Sequence, residues 1–279
     1  MILKLKKQML ILFPFLFIIF FLSFLSLSGV FVHLNALIYD KTIELSLNKN
    51  TDNKPILLVE LAPDDIDNFP QNFPKIINNI ISLKPHSLIF LTNQKDNFSN
   101  IEKIQDQVPV FLATPLVYNS GAKKIYKPSY DDIPKNLKHL EGYIASPQIE
   151  VGTYRFDFDS YETIFGKKDS IARKIALRFS DIETSSEGKY YINFNNHTTL
   201  PKVSFKRLLN NGLIEELITD HHIIFGYEKR ILEVGLNTPA IQNTGYLTVM
   251  QYFGYSLLTL LENNTIEYFN IYQEVLMML

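Results

Sequence analysis

Acidic side chains follow the first apolar run of the globular part of the chain, and they are the best-placed candidates for binding chemistry. Glu60 lies within the run ILLVEL, and Asp64, Asp65 and Asp67 follow it closely. In open α/β sheets, ligands bind outside the carboxyl ends of the strands, so Asp64 and Asp65 could contact a ligand or a hard cation. Two adjacent carboxylates supply only part of the oxygen shell that such a cation needs. Helix N-capping is the simpler interpretation, because Asp is favoured at that position.

Arg155 is a further candidate for ligand binding, since its guanidinium could bind an anionic ligand or pair with a carboxylate. A structural salt bridge is the simpler interpretation of this residue as well. The candidate ligand-binding set is therefore Glu60, Asp64, Asp65 and Arg155.

Metal and nucleophile chemistry find little support in the sequence. The Asp-x-Asp pattern at Asp157 and Asp159 is explained by a strand whose polar and apolar residues alternate between two faces. His221 and His222 are adjacent in a predicted strand and would point to opposite faces. The absence of cysteine excludes disulfides and thiolate sites. Nucleophile elbows and phosphate-binding loops are missing too, so we predict no catalytic residue, no metal and no cofactor.

Composition narrows the class of protein further. The 279 residues include 27 basic and 29 acidic side chains, which nearly balance. Without a basic stripe there is no sign of a nucleic-acid partner. The length allows one large domain or two small ones after the N-terminal segment described next.

The N-terminal segment predicts a membrane anchor. Lys4, Lys6 and Lys7 precede residues 9–34, which contain no Asp, Glu, Lys or Arg. A helix over the apolar core at 9–32 would be roughly 36 Å long, against about 30 Å for the bilayer core. It is too long for a cleavable signal. With the lysines inside, residues 1–8 are cytoplasmic, and the main domain lies outside a single-pass anchor in the bacterial inner (cytoplasmic) membrane, in the periplasm or the extracellular space.

The elements that must position the candidate residues follow from hydrophobic patterns. Residues 35–50 form a juxtamembrane helix, running from Val32 to Asn48, and a polar linker, and residues 51–265 form the main domain. Buried strands at 56–61, 87–92 and 109–114 alternate with helices near 74–85 and 97–107. This order predicts an α/β fold with a mostly parallel or mixed central sheet and helices on both faces.

Later segments are assigned from the same patterns. The strand and helix pattern fails over residues 115–140, where the segment 120–140 is polar and contains two prolines, so we predict a long surface excursion there. The tail at 266–279 is amphipathic. Further strands are predicted at 142–146, 152–158, 190–194 and 221–227, and further helices at 170–179, 203–212 and 247–264.

The order of these motifs resembles the CHASE type 2 domain, an extracytoplasmic sensor of bacterial signalling proteins. The similarity covers roughly residues 35–265. It includes the strand and Asp-rich turn at 55–69, the segment FPQNFPK, the turn QIEVGTYR that keeps Gly152 and Arg155, and the Thr238–Pro239 pair. The departures are Lys75 in place of an arginine, an acid missing from the strand at 87–92, and Glu150 and Val151 in place of aspartates.

The resemblance implies a membrane-anchored sensor or ligand-binding protein in signal transduction. Members typically continue into membrane helices and a cyclase, kinase or phosphatase domain, so we expect the output here in a separate kinase or cyclase or in a continuation of the chain. Its partners would be the membrane, an unidentified ligand and a second copy of the chain as a homodimer. Two alternatives stay open: a structural or adaptor component of the cell envelope or secretion machinery, and a periplasmic hydrolase using Asp64 and Asp65.

Overall fold

A computed structural model describes most of the main domain. Within the described residues, no helix combines the length and the apolar character that crossing a bilayer requires. Most of the predicted anchor at 9–34, and the tail beyond Ile266, lie outside these residues. The described residues are 14, 17–18, 20–21, 24, 29–45, 55–65, 68–119, 125–129, 132–150, 152–181, 188–194, 200–210, 215–227, 238 and 247–266.

Strands dominate the centre of the domain, and nine of those described form one sheet. They are β1 (Ile56–Leu61), β2 (Ser87–Phe90), β3 (Val110–Asn119), β4 (Ile125–Pro128), β5 (Glu141–Ala145), β6 (Ile149–Glu150), β7 (Thr153–Tyr154), β8 (Phe156–Phe158), β9 (Ser160–Thr163), β10 (Gly166–Asp169), β11 (Lys189–Tyr191), β12 (Lys202–Ser204) and β13 (His222–Tyr227).

Helices surround this sheet. Three short 3-10 helices, at Pro63–Asp65, Lys95–Asn97 and Lys135–Leu140, connect larger elements. The α-helices are α1 (Val30–Leu45), α2 (Phe69–Ser82), α3 (Phe98–Ile104), α4 (Ile171–Phe179), α5 (Phe205–Leu209), α6 (Glu215–Ile218) and α7 (Val249–Leu261).

The central sheet is mostly parallel. Strands β12, β1, β13, β2, β3 and β5 lie side by side in that order, each parallel to its neighbour. Strand β4 pairs antiparallel with the end of β3, and the antiparallel pair β9–β10 extends the sheet from β4. This arrangement confirms the predicted α/β class with a mostly parallel, mixed sheet.

Both faces of the sheet are covered. Alternate residues of β1 enter two separate hydrophobic clusters, Ile56 and Leu58 in one, and Leu57 and Val59 in the other. The first cluster includes residues of α1, α4 and α7, and the second includes residues of α2, α3, α5 and α6. A strand buried on both sides reads as a continuous apolar run, which is why β1 and β13 could be recognised from sequence.

The predicted excursion at 115–140 is wrong in its first half. Strand β3 continues through Pro115 to Asn119 and turns into β4. Pro115 lies between Leu112, where pairing with β2 ends, and Leu116, where pairing with β4 begins. Its carbonyl accepts a hydrogen bond of 2.8 Å from the Ser129 amide. Pro115 is also the register partner of Ile144 in β5, but the N–H and C=O of a strand residue point to the same side, and here that is the side of Ser129. The missing proline N–H therefore does not interrupt the ladder with β5, and proline is tolerated there.

Other predicted boundaries change as well. The predicted strand at 152–158 divides into β7 and β8 on either side of Arg155, and the predicted helix at 203–212 begins with strand β12. Helix α7 begins after Thr248, whose side chain forms a capping box with Gln251. The sequence pattern does not predict the β9–β10 hairpin, because several of its residues are charged and polar and apolar residues alternate only weakly along it.

Candidate functional site

A cavity of about 770 Å³ opens where β3 and β5 end, next to β8 and the β9–β10 hairpin. Its size falls within the range of small-molecule sites. The pairing of strands explains its position. Strand β3 pairs with both β4 and β5, β4 with β9, and β9 with β10, while a bridge between Tyr143 and Ser170 links β5 to the end of β10. The hydrogen-bonded path thus returns to β3 and encloses one end of the sheet.

Three tyrosine rings line this cavity. Tyr118 and Tyr126 are register partners across β3 and β4, with ring centroids 5.3 Å apart and ring planes at 75°. Tyr126 and Tyr161 are 5.5 Å apart, with planes at 71°. These are edge-to-face arrangements, which the ring quadrupoles favour. Tyr118 is half exposed and Tyr161 is buried, so the rings lead from the rim into the interior.

The hydroxyl groups of the two inner tyrosines are already engaged. Gln148 Nε2 donates a hydrogen bond to the Tyr126 hydroxyl. The Tyr161 hydroxyl accepts from the Ala145 amide at 3.4 Å and donates to Asp157 Oδ1 at 3.3 Å. Burial raises the pKa of Tyr126, and burial together with the charge of Asp157 raises the pKa of Tyr161 well above its ordinary value. Both therefore remain neutral phenols at physiological pH.

Asp157, which the sequence analysis assigned to simple strand alternation, is an ionisable group next to the cavity through its contact with Tyr161. Strand alternation directs the Asp157 side chain to the other face of β8 from Phe156, as predicted. Helix α7 covers the face on which Asp157 lies. Its carboxylate accepts hydrogen bonds from Ser256 Oγ at 2.7 Å and from the Phe158 amide at 2.8 Å. The residue keeps some exposed surface, yet its carboxyl is enclosed, and this burial raises its pKa although the hydrogen bonds partly offset the effect. Perturbed carboxyl groups beside cavities are typical of functional sites.

The described residues of the predicted acidic cluster are engaged in local contacts or exposed. Glu60 is buried on β1 and lies 3.2 Å from the Lys202 ammonium. Asp65 Oδ2 accepts from the Ala62 amide at 3.0 Å, within its own turn, and Asp64 is exposed. None of these three residues lines a described cavity. A hydrolase using Asp64 and Asp65 stays an untested prediction.

Helix capping does not explain these aspartates either. Helix α2 begins at Phe69 and has Asn68 at its N-cap. Asp64 and Asp65 lie in the preceding 3-10 turn, where the Asp65 carboxylate accepts a hydrogen bond from the Ala62 amide. Asp67 lies outside the described residues. A groove of about 290 Å³ does open at the carboxyl ends of β1, β2 and β13, but other residues line it: Leu61, Phe69, Pro70, Thr92, Asn93, Lys95, Asp96, Asn97 and Tyr227.

Arg155 joins the domain to helix α1. Its Nε and Nη2 atoms lie 2.8 and 2.6 Å from the two carboxylate oxygens of Asp40, which is a bidentate ion pair. The arginine side chain is buried and that of Asp40 is partly exposed. The neighbouring Tyr39 is buried and its hydroxyl donates to the Ile192 carbonyl. The structure thus gives Arg155 a carboxylate partner, as the salt-bridge interpretation expects, and that partner lies on α1.

A continuous row of aromatic rings connects the cavity to α1. Tyr161 lies 5.9 Å from Phe158, and Phe158 lies 5.4 Å from Phe156. Phe156 is 6.0 Å from Tyr191, and Tyr191 is 5.8 Å from Tyr39 on α1. Strand β8 is the middle of this row, since Phe158 lines the cavity and Arg155 directly precedes the strand.

The described histidines do not form a metal site, and within the described residues no group of three or more His, Asp or Glu side chains could hold an ion. His222 Nδ1 lies 2.8 Å from Ser87 Oγ, and His221 Nδ1 lies 2.7 Å from the Thr219 carbonyl. Burial and the neighbouring histidines lower the pKa of His222 to about 3.

Fold and site together define an α/β domain with a ligand-sized cavity whose aromatic wall leads to its N-terminal helix. Neither protein-family models, nor curated proteins, nor solved structures contain a match to this chain. Function is therefore inferred from the cavity and from the contacts of α1.

Proposed function

We propose that this chain is a membrane-anchored extracytoplasmic sensor of bacterial signal transduction, with a CHASE-like domain. In this proposal residues 9–34 hold it in the inner membrane, a small ligand occupies the tyrosine-lined cavity, and α1 carries the signal to a separate output protein. The observation that supports it best is the aromatic row, which begins at the cavity and ends at Tyr39, one residue from the Asp40–Arg155 ion pair.

Strand β8 is the physical route of the signal. Phe158 at one end lines the cavity, and Arg155 next to the other end binds Asp40. These residues are about 10 Å apart along an extended chain. A ligand that shifts Phe158 would change the ion pair and the contact with Tyr39. Helix α1 then has two arrangements, docked and released, and the ligand selects between them through its different affinity for each.

The resemblance to the CHASE type 2 domain supports the same proposal. The two residues that this chain keeps from the family turn have structural roles here. Gly152 adopts a positive φ of 75° in the two-residue turn between β6 and β7, a conformation that glycine favours. Arg155 binds α1. Both roles concern the segment that joins the cavity wall to the membrane-proximal helix.

Membrane topology is the first test. The chain has no cysteine, so single-cysteine variants can be labelled without background. In spheroplasts, a membrane-impermeant maleimide should label Lys103→Cys on the exposed side of α3 at once. It should label Leu3→Cys only after permeabilisation. The reverse pattern would contradict an outward-facing domain.

Coupling between the cavity and α1 is the second test, and it requires no ligand. In the full chain in lipid nanodiscs, Phe158→Leu should speed hydrogen exchange of the α1 amides, because it breaks the aromatic row. The amides of α2, on the other face of the sheet, should keep their rates. Phe165→Ala, at an exposed turn, is the control. Unchanged hydrogen-exchange rates of the α1 amides in Phe158→Leu would contradict the proposed route.

A further inference from the structure

We infer that the tyrosine-lined cavity binds an alkylated organic ammonium ion, such as a trimethylammonium compound. This inference rests on the proposed function, since it names the ligand class of that same site. Three features carry it: the arrangement of the rings, the engagement of their hydroxyls, and the charges around them.

The rings form walls at steep angles to one another. Strand register puts Tyr118 opposite Tyr126 and Tyr126 opposite Thr163, and Tyr161 lies two residues before Thr163. Side chains at these positions share one face of the sheet. Successive ring planes at 75° and 71° make an angular aromatic surface rather than a flat stacking platform. Aromatic surfaces that partly enclose a ligand are the characteristic binding sites of quaternary ammonium groups.

The hydroxyl groups of the inner rings leave π-faces as the main recognition surface. The Tyr126 hydroxyl oxygen accepts a hydrogen bond from Gln148, while the Tyr161 hydroxyl accepts one from the Ala145 amide and donates one to Asp157. A phenol that donates its proton towards a carboxylate gains electron density in its ring. The inner wall is thus suited to a cation that needs no hydrogen bond, which describes an alkylated ammonium.

The charged residues that line the cavity are of opposite sign. Glu162 and Lys167 are direct register partners in the β9–β10 hairpin, so their fields largely offset each other. Lys168 is the register partner of Tyr161, and its charge works against the binding of a cation. Elsewhere in the same aromatic row an ammonium group already lies over rings, since Lys189 Nζ is 3.9 Å from the Phe156 centroid.

Choline and its uncharged carbon isostere, 3,3-dimethylbutan-1-ol, provide a matched pair of probes. They have the same shape and hydroxyl and differ only in the charge of the central atom. Calorimetric titration of the full chain in nanodiscs should give choline a lower Kd by about 2- to 30-fold, which corresponds to a cation–π contribution. Equal affinities for the two probes, or no choline binding, would overturn the inference.

Variants show whether the tyrosine wall is responsible. Tyr118→Leu, at the half-exposed rim, should lower the preference for choline, whereas Tyr118→Phe should keep it because the ring remains. Lys168→Gln should strengthen choline binding and leave the neutral isostere unchanged. A preference that is unchanged in both Tyr118→Leu and Lys168→Gln would place the cation elsewhere and refute this assignment.

The failure of this inference can be told apart from that of the sensor proposal. The topology and hydrogen-exchange tests use no ligand, so their results do not depend on whether choline binds. If choline fails but Phe158→Leu still speeds exchange in α1, only the ligand class is wrong.

Discussion

Asp157 places an ionisable group in a protected position beside the cavity. Three donors point at its carboxylate, from Ser256, Tyr161 and the Phe158 amide, and Tyr190 bonds Ser256 behind them at 2.5 Å. These hydrogen bonds favour the ionised carboxylate of Asp157, but the effect of burial is larger and raises its pKa. The residue therefore combines a structural hydrogen-bond role with a cost of ionisation.

We predict that Asp157→Asn changes how stability depends on pH. Because the folded-state pKa is raised, the contribution of Asp157 to stability is fully present below its ordinary pKa of about 3.9 and is lost as pH rises through the folded value. Asn cannot ionise and avoids that loss. The free energy of unfolding of the variant, relative to the wild type, should therefore rise between pH 4 and 7.5 in urea titrations. A difference that is constant across this range would contradict the prediction.

His222 has the opposite dependence. Its pKa of about 3 in the folded state lies below the ordinary value near 6.5, so the folded protein keeps it neutral while the unfolded chain protonates. Its stabilisation is present above pH 6.5 and declines towards pH 3. We expect His222→Gln to be less stable than the wild type at pH 7, and the gap to narrow on acidification. Urea midpoints measured from pH 7 to pH 4 check this, and a widening gap would refute it.

Helix α1 is the element whose attachment matters most for the proposed function. It buries Ala36, Tyr39 and Ile43 against the domain, at helical spacing. The Arg155–Asp40 pair adds charge to this contact, with the arginine on the buried side.

We predict that Asp40→Asn loosens α1. It leaves the buried guanidinium of Arg155 without its anionic partner, at a cost of about 1–3 kcal/mol, less than for a fully buried pair because Asp40 is partly exposed. Hydrogen exchange of the α1 amides should speed up well before global unfolding. His33→Gln, at an exposed position of the same helix, is the control, and equal exchange in both variants would argue against the ion pair as the attachment.

The contact between β5 and α4 depends on a glycine. A Cβ atom at Gly142 would lie 2.7 Å from the Cα of Ile171, which is backbone and has little freedom to move. A Cβ at Gly226 would also be close, 2.6 Å from Met250 Sδ, but that atom ends a flexible side chain.

We therefore predict unequal costs for two chemically identical changes. Gly142→Ala should lose at least about 1–3 kcal/mol of the free energy of unfolding, as overpacking against backbone does, and Gly226→Ala should lose clearly less. Urea denaturation of both variants measures the difference. Equal losses would show that the Met250 side chain cannot adjust.

At the scale of the whole molecule, α1 offers a surface for self-association. Leu34 and Leu37 are exposed on the side away from the domain, while Ile43 faces inward. The proposed homodimer would pair these exposed sides, directly after the predicted anchor.

Cysteine crosslinking in native membranes tests the dimer. We expect Leu37→Cys to form a disulfide-linked dimer under mild oxidation and Ile43→Cys to remain monomeric, because only the first side chain is exposed. Periodic crosslinking along residues 32–48 would define the pairing face. Failure of every position in that range would count against a dimer formed through α1.

Prediction from sequence succeeded where local pattern is sufficient. Strands β1, β2 and β13 are buried on both faces, so each appears as a short apolar run that needs no knowledge of its neighbours. The polar strands β4 and β10 were missed, because partners and not their own composition specify them. Arg155 has a carboxylate partner, as the salt-bridge interpretation expects, but Asp40 lies 115 residues away in the chain and could not be identified from the sequence.

The amino-acid sequence by itself determined the α/β class, the two-sided core and the expectation of an N-terminal anchor, because apolar periodicity and charge act over a few residues. Only the tertiary structure decided where binding could occur. It places a cavity beside rings contributed by β3, β4 and β9, away from the aspartates after β1, and a row of aromatic rings through β8 connects that cavity to α1. The physical reason is that strand register and the pairing of strands around the end of the sheet bring together residues that are distant in sequence. A local sequence pattern specifies neither of these.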